Sequence, residues 1–136
     1  MFVVRTKLAP SQIHGLGTFA DEFIPSGSTI WVLHPQFDVE FALEDLDDLP
    51  PYCREQIMHF GYLSTTTGKW VLCADDARFM NHSGQPNTRN AIDGRGNDCT
   101  VAACDILAGE EITCDYYEFD ADAERKLGGT SAARAS

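Results

Sequence analysis

The sequence predicts a mainly β domain with a few short helices. Three observations carry this. Apolar and β-branched runs recur as short segments, at 2–8, 29–33, 69–73, 99–103 and 112–116. Gly, Pro, Asn or Asp lies between neighbouring runs, as turn chemistry requires. The helix-forming stretches run to only about two turns, against the three or more of an ordinary globular helix. At 136 residues the chain has the length of one domain. With 43% hydrophobic and 23% charged residues its composition is that of a folded globular protein rather than a disordered one.

Residues 2–8 read as a first strand, ended by Pro10. Ile13-His14-Gly15-Leu16-Gly17-Thr18-Phe19-Ala20 follows; two glycines at i and i+2 let the backbone bend tightly and expose its N–H groups, with a strand resuming at Thr18. No third glycine completes a dinucleotide fingerprint. Ile24-Pro25-Ser26-Gly27-Ser28 is a turn before a strand at 29–33 that contains Trp31. Six acids between Asp38 and Asp48 alternate with apolar residues in a segment compatible with helix or loop, and with a solvated face or a rim that meets a basic substrate.

Pro50-Pro51 sets the start of a helix over 52–59, stopped by Gly61. Residues 62–64 and 69–73 are strands around a hairpin turn at 65–68. His34 and His59 have no partner at ligand spacing. Asp75 and Asp76 cap one helical turn over 77–80. Beyond Pro86, residues 87–92 form a strand, 93–98 a glycine-rich hairpin loop, 99–103 the returning strand and 112–116 the last one. A helix is expected over 120–127, with Glu124, Arg125 and Lys126 near its end and Gly128-Gly129 closing it. The small, polar residues 130–136 are expected to be a disordered tail.

Lys and Arg number 10 against 21 Asp and Glu, a formal net charge of -11. A field of that sign repels phosphate backbones and anionic lipid, so the expected partner is a basic protein or peptide, with no direct nucleic acid and no membrane. The plain alternative is an acidic surface that keeps the protein soluble. The five cysteines are odd in number and scattered without a Cys-x-x-Cys pair, and three fall in strand-like runs, where Cys behaves as a small hydrophobe. No metal is expected, and a reducing, intracellular compartment is. No apolar run approaches the ~18 to 20 residues of a membrane span, and residues 1–5 do not read as a signal peptide.

The stretch Arg78-Phe79-Met80-Asn81-His82-Ser83, continued by Gly84-Gln85-Pro86-Asn87, sets six side chains of different chemistry beside a Gly/Pro turn. It is the first candidate site. Taken alone, Asn81 and His82 could close a buried turn through backbone hydrogen bonds. Tyr116 could be a core tyrosine tied down by its hydroxyl. An ion pair of Arg78 with Asp75, Asp76 or Glu111 would explain that residue equally well.

Three pieces nevertheless stand in a fixed order: Gly15-Leu16-Gly17, Arg78-Phe79-Met80-Asn81-His82-Ser83 with Pro86-Asn87, and Gly109-Glu110-Glu111-Ile112 ending in Asp115-Tyr116. Together they resemble the SET-domain protein-lysine methyltransferases, in a minimal single-domain form of the kind seen in bacterial and viral members, with a SET domain over 1–119 and a short helix and tail over 120–136. The resemblance implies several short curved sheets, with a pseudoknot-like C-terminal segment threaded under the loop that carries Asn81 and His82. It implies S-adenosyl-L-methionine (SAM) as cofactor. The backbone at Gly15, Leu16 and Gly17 would hold its methionine end, and Asn81 and His82 would bond its amino group and adenine, with Arg78 beside them. It makes Tyr116 the catalytic tyrosine, Tyr62 a second catalytic candidate, and Tyr62 and Phe119 aromatic walls of a lysine channel.

The implied activity is methylation of a lysine in a basic protein such as a histone, a histone-like or a ribosomal protein. The alternative is a catalytically silent SET-fold binding module. Gly84 stands where many members carry a zinc-binding cysteine, and no Cys-x-Cys cluster follows Tyr116, so the zinc-bearing flanks are expected to be absent. The cover they would provide is then expected from residues 117–127 or from a second copy of the chain in a homodimer.

Overall fold

The computed structural model describes residues 1–128. In chain order the strands are β1 (Thr6–Pro10), β2 (Leu16–Ala20), β3 (Thr29–Val32) and β4 (Val39–Phe41). Helices α1 (Leu43–Asp47) and α2 (Pro51–Phe60) come next, then β5 (Tyr62–Leu63) and β6 (Trp70–Leu72). A 3-10 turn at Asp76–Phe79 leads into β7 (Asn81–His82), β8 (Thr88–Ile92), β9 (Asp98–Ala102) and β10 (Thr113–Cys114). A second 3-10 turn at Tyr116–Glu118 and helix α3 (Ala123–Lys126) close the described chain. The fold is mainly β, in four sheets of two or three strands: β1-β2, β3-β9-β8, β4-β6-β5 and β10-β7.

The first strand starts at Thr6 because residues 1–4 have another partner. The Val3 N–H donates to the Ile30 carbonyl, Phe2 bridges Trp31, and the side chains of Phe2 and Val4 pack on the core. Their apolar pattern therefore records burial rather than hairpin pairing. The acidic stretch contains both a strand and a helix, β4 and α1. Glu40, Glu44, Asp45, Asp47 and Asp48 are exposed, whereas Asp38 is buried and accepts from the His34 and Ala74 N–H groups and from the Met1 amino group. Proline at the first position starts α2, as its spacing predicts. Asp75 caps the 3-10 turn through the Ala77 N–H.

Only four residues of the helix expected over 120–127 are helical. The preceding residues instead bond to the sheet: the Ala121 N–H donates to the Leu63 carbonyl, and Asp120 bridges Ser64. The expected tail at 130–136 lies outside the described residues.

The β7–β10 pair positions the site. It is parallel, with Asn81 opposite Thr113 and His82 opposite Cys114. Parallel neighbours cannot be joined by a tight turn, and here β8 and β9 intervene. The chain after β10 then runs to β5, where the Thr65 N–H donates to the Phe119 carbonyl. The C-terminal segment thus pairs with β7 on one side and bonds to the region of the Tyr62–Leu63 strand on the other. Ile24, Ile30, Ile106 and Ile112 are fully buried in one core cluster, and Trp31, Tyr62, Val71 and Cys73 form a second one beside it.

Candidate active site

Asn81 ties three stretches of chain together. Its amide nitrogen lies 3.1 Å from the His14 carbonyl, 3.1 Å from the Leu16 carbonyl and 2.9 Å from Glu111 Oε2. Glu111 Oε1 in turn accepts from Ser11 Oγ at 2.7 Å. Gly17 makes this approach possible, since a Cβ there would fall 2.5 Å from Glu111 Oε2. Gly15 has φ +46°, a left-handed backbone that glycine adopts without steric cost, and nothing lies within 4 Å of where its Cβ would be. Gly15 and Leu16 therefore form an open rim of the cavity, anchored from behind by Asn81 and Glu111, whereas Gly17 is buried behind them and does not line it. The donors of the Asn81 amide are spent on this anchoring, and only Oδ1 is left for a ligand.

His82 is buried at 6% exposure. Its Nδ1 accepts from the Tyr116 N–H at 3.2 Å, which places the imidazole hydrogen on Nε2. Asp115 Oδ1 lies farther from Nδ1, at 3.6 Å. Among the described residues Nε2 is buried without a partner, and so is Trp31 Nε1. A buried N–H rarely stays unsatisfied, and both residues line a cavity of about 580 Å³.

Tyr116 follows β10 directly, and its hydroxyl donates to the Met80 carbonyl at 2.6 Å. Burial, reinforced by Cys114, Asp120 and Glu111, pushes its pKa well above the ordinary phenol range. It remains a fixed phenol and is not a base. Aromatic rings continue from it: Phe119 lies 6.1 Å from Tyr116 and 5.1 Å from Tyr62, and Tyr62 lies 6.3 Å from Trp31, all edge-on.

Tyr62 presents its two ends to different surroundings. Its ring lines the cavity, but its hydroxyl donates to Asp98 Oδ2 at 3.0 Å in a buried cluster with Ser64 and Thr66. Burial and the Asp98 charge push its pKa far up as well. A hydroxyl held this way serves the fold and leaves only the ring to the cavity.

For Arg78 the ion-pair alternative finds no support. No acidic side chain pairs with it among the described residues. Nε and Nη2 donate to the Cys73 carbonyl at 3.1 and 2.8 Å, and the guanidinium lies 5.7 Å from the centre of the Phe60 ring. Nη1 takes no part in these bonds.

The Tyr117 ring lies 5.9 Å from His82, and Arg125, Lys126 and Leu127 line the cavity. Residues of the 117–127 segment thus stand at the cavity. Leu16, Met80, Asn81, Tyr116 and Phe119 share the same cavity wall.

A family model for the SET domain matches residues 15–117. The chain belongs to the SET-domain family. Solved structures share the fold of this SET domain. The crystal structure of a candidate histone methyltransferase of Plasmodium falciparum superposes with a TM-score of 0.61 at 21% identity, covering 83% of this chain and 93% of the other. A humanized mutant of the Chaetomium thermophilum Polycomb Repressive Complex 2, bound to the inhibitor GSK126, gives 0.66 at 24% identity. That match covers 90% of this SET domain, which spans only 16% of the other chain.

Sequence reasoning did not single out Trp31, Asp98, Asp120 or Lys126. Trp31 carried the one usable signal, an indole in a strand beside a predicted turn. Asp98 and Asp120 look like loop and helix acids, and only long-range pairing buries them.

Burial pushes the thiols of Cys73 and Cys114 far above their ordinary range and raises that of Cys99. Cys53 and Cys104 are exposed. Thiol titration of the native SET domain at pH 8 is expected to count the two exposed cysteines quickly, with the other three reacting only on denaturation. Rapid native reaction of all five would contradict this burial.

Proposed function

We propose that this SET domain is a SAM-dependent protein-lysine N-methyltransferase. Its substrate would be a lysine in a basic setting, such as a histone, histone-like or ribosomal protein, in an intracellular compartment where free cysteines persist. The observation that carries this reading is the Tyr116 phenol. It is locked to the Met80 carbonyl and lines one cavity with Gly15, His82, whose N–H has no partner among the described residues, and the Tyr62 and Phe119 rings.

The residues fit the cofactor. A volume of about 580 Å³ lies in the usual range for small-molecule sites. The Gly15–Leu16 backbone, Asn81 Oδ1, Arg78 Nη1 and His82 Nε2–H offer both donors and acceptors. When bound, SAM supplies a methyl group made electrophilic by its sulfonium.

The chain's own residues then have distinct tasks. A lysine ammonium, which in water titrates at ~10.4, has no lone pair until it loses a proton. The Tyr62 and Phe119 rings disfavour the charged form by excluding water. Tyr116 and the Met80 carbonyl orient the amine for in-line attack, and positioning of this kind replaces a strong base. The acidic surface favours capture of a basic segment.

Calorimetry with SAM tests the cofactor first, because it needs no substrate. Wild type is expected to bind, and Asn81→Ala to lose about 10- to 100-fold in affinity as the Gly15 rim loses its anchor. Unmeasurable binding to a folded wild type would end the proposal. Incubation with radiolabelled SAM and core histones tests turnover. Binding without transfer to any basic protein would instead favour a silent binding module.

A further inference from the structure

We infer that the acceptor-lysine site of this chain is filled in cis, with Lys126 standing in it as a pseudosubstrate that an incoming lysine must displace. The inference rests on the methyltransferase reading for the identity of the site, and on geometry for its occupant.

The chain has three lysines. Lys7 and Lys69 are exposed, as lysines usually are. Lys126 is not, for its side chain is only 15% exposed. It sits at the end of a surface helix, where a long cationic side chain would ordinarily extend to water. Instead its Nζ turns inward, donates to the Gly61 carbonyl, and meets Asp120 Oδ2 at 2.6 Å. It lies 5.6 Å from the centre of the Trp70 ring and 6.0 Å from that of Tyr116. Gly61, Tyr116, Asp120 and Lys126 all line the cavity described above.

A carbonyl, a carboxylate and two aromatic rings are what a primary ammonium needs when it leaves water. Nothing in that set is particular to Lys126. The site is also built independently of its occupant. Asp120 Oδ1 accepts from the Leu63 N–H at 3.0 Å and the Asp122 N–H at 2.9 Å, so the backbone fixes the carboxylate. Gly61 is held by α2, its N–H donating to the Ile57 carbonyl. The occupant, by contrast, hangs from a four-residue helix near the end of the described chain. A lysine donating as an ammonium has no free lone pair, so as placed Lys126 blocks the site without being an acceptor. Its displacement leaves an ammonium site beside Tyr116 that would dock a substrate lysine in its charged form, before that lysine gives its proton to solvent and advances to the Tyr62–Phe119 rings, and the tether lowers the apparent affinity of every competitor.

The test uses the intact protein labelled with 13C-lysine. Ring currents from Trp70 and Tyr116 should set the Lys126 Cε signal apart from those of Lys7 and Lys69. Titration with n-butylammonium chloride, a mimic of the lysine side chain, should move only that signal toward the exposed position, while sodium chloride at equal ionic strength should not. In transfer assays with core histones, Lys126→Met should lower KM about 10-fold with kcat within about two-fold. A Lys126 signal unmoved at saturating n-butylammonium overturns the inference, as does an unchanged or raised KM in Lys126→Met. If neither protein transfers methyl groups, the methyltransferase reading fails, while the n-butylammonium competition still decides whether Lys126 fills an ammonium site.

Discussion

Replacing Tyr116 by phenylalanine is expected to cut kcat for methyl transfer by about 100- to 1,000-fold while leaving SAM affinity within about two-fold. The hydroxyl is fixed at 2.6 Å from the Met80 carbonyl. Its loss frees that carbonyl and removes the only polar side-chain group of Tyr116, but leaves the His82–Tyr116 backbone bond and the β7–β10 pairing intact. The Gly15–Leu16 rim, anchored by Asn81 and Glu111, is untouched. Paired kinetics and calorimetry on the two proteins check this. A variant that retained full kcat would remove Tyr116 from the chemistry, and one that lost SAM binding along with kcat would make its role structural.

The second large effect concerns stability. Asp98 is 3% exposed and accepts three hydroxyls, from Tyr62 at 3.0 Å, Ser64 at 2.9 Å and Thr66 at 2.8 Å. Asp98→Ala leaves the buried Tyr62 and Ser64 hydroxyls without an acceptor, while exposed Thr66 turns to water. The expected cost is about 2–4 kcal/mol, which for a domain of this size lowers Tm by roughly 10 °C. Adding Tyr62→Phe should recover part of the loss, because the orphaned group is then gone. Urea unfolding of the single and double variants measures both terms. A cost below about 0.5 kcal/mol for Asp98→Ala would mean that the cluster relaxes freely.

Much of the strand order was legible because strands in small sheets advertise themselves through β-branched residues and turns. The hairpins at β5–β6 and β8–β9 and the helix begun by Pro51 lie where local chemistry puts them. What local chemistry cannot carry is a partner far along the chain. Residues 1–4 look like part of β1 until β3 claims them, and Asp38 looks solvated until the Ala74 N–H reaches it. At the site, the motifs named Asn81, His82 and Tyr116 because their residue types stand in a recurring order. Their bonding was not legible: the Asn81 amide faces the Gly15 loop and Glu111, Arg78 binds a carbonyl and the Tyr62 hydroxyl points to Asp98. Lys126 read as a basic residue suited to a helix C-terminus, and nothing in its neighbours along the sequence says that it turns inward.

The parallel pairing of β7 with β10 also has a meaning during synthesis. Asn81 and the Gly15 rim leave the ribosome well before Thr113, yet the pocket they share with Tyr116 has no wall until that strand arrives. A nascent chain halted upstream of Thr113 would hold an unpaired β7 edge and half a core. Long-range pairings of this kind form late and slowly, with apolar surface waiting meanwhile. Premature termination should therefore yield aggregates rather than weak enzymes, and competence should arrive in one step with the closing segment.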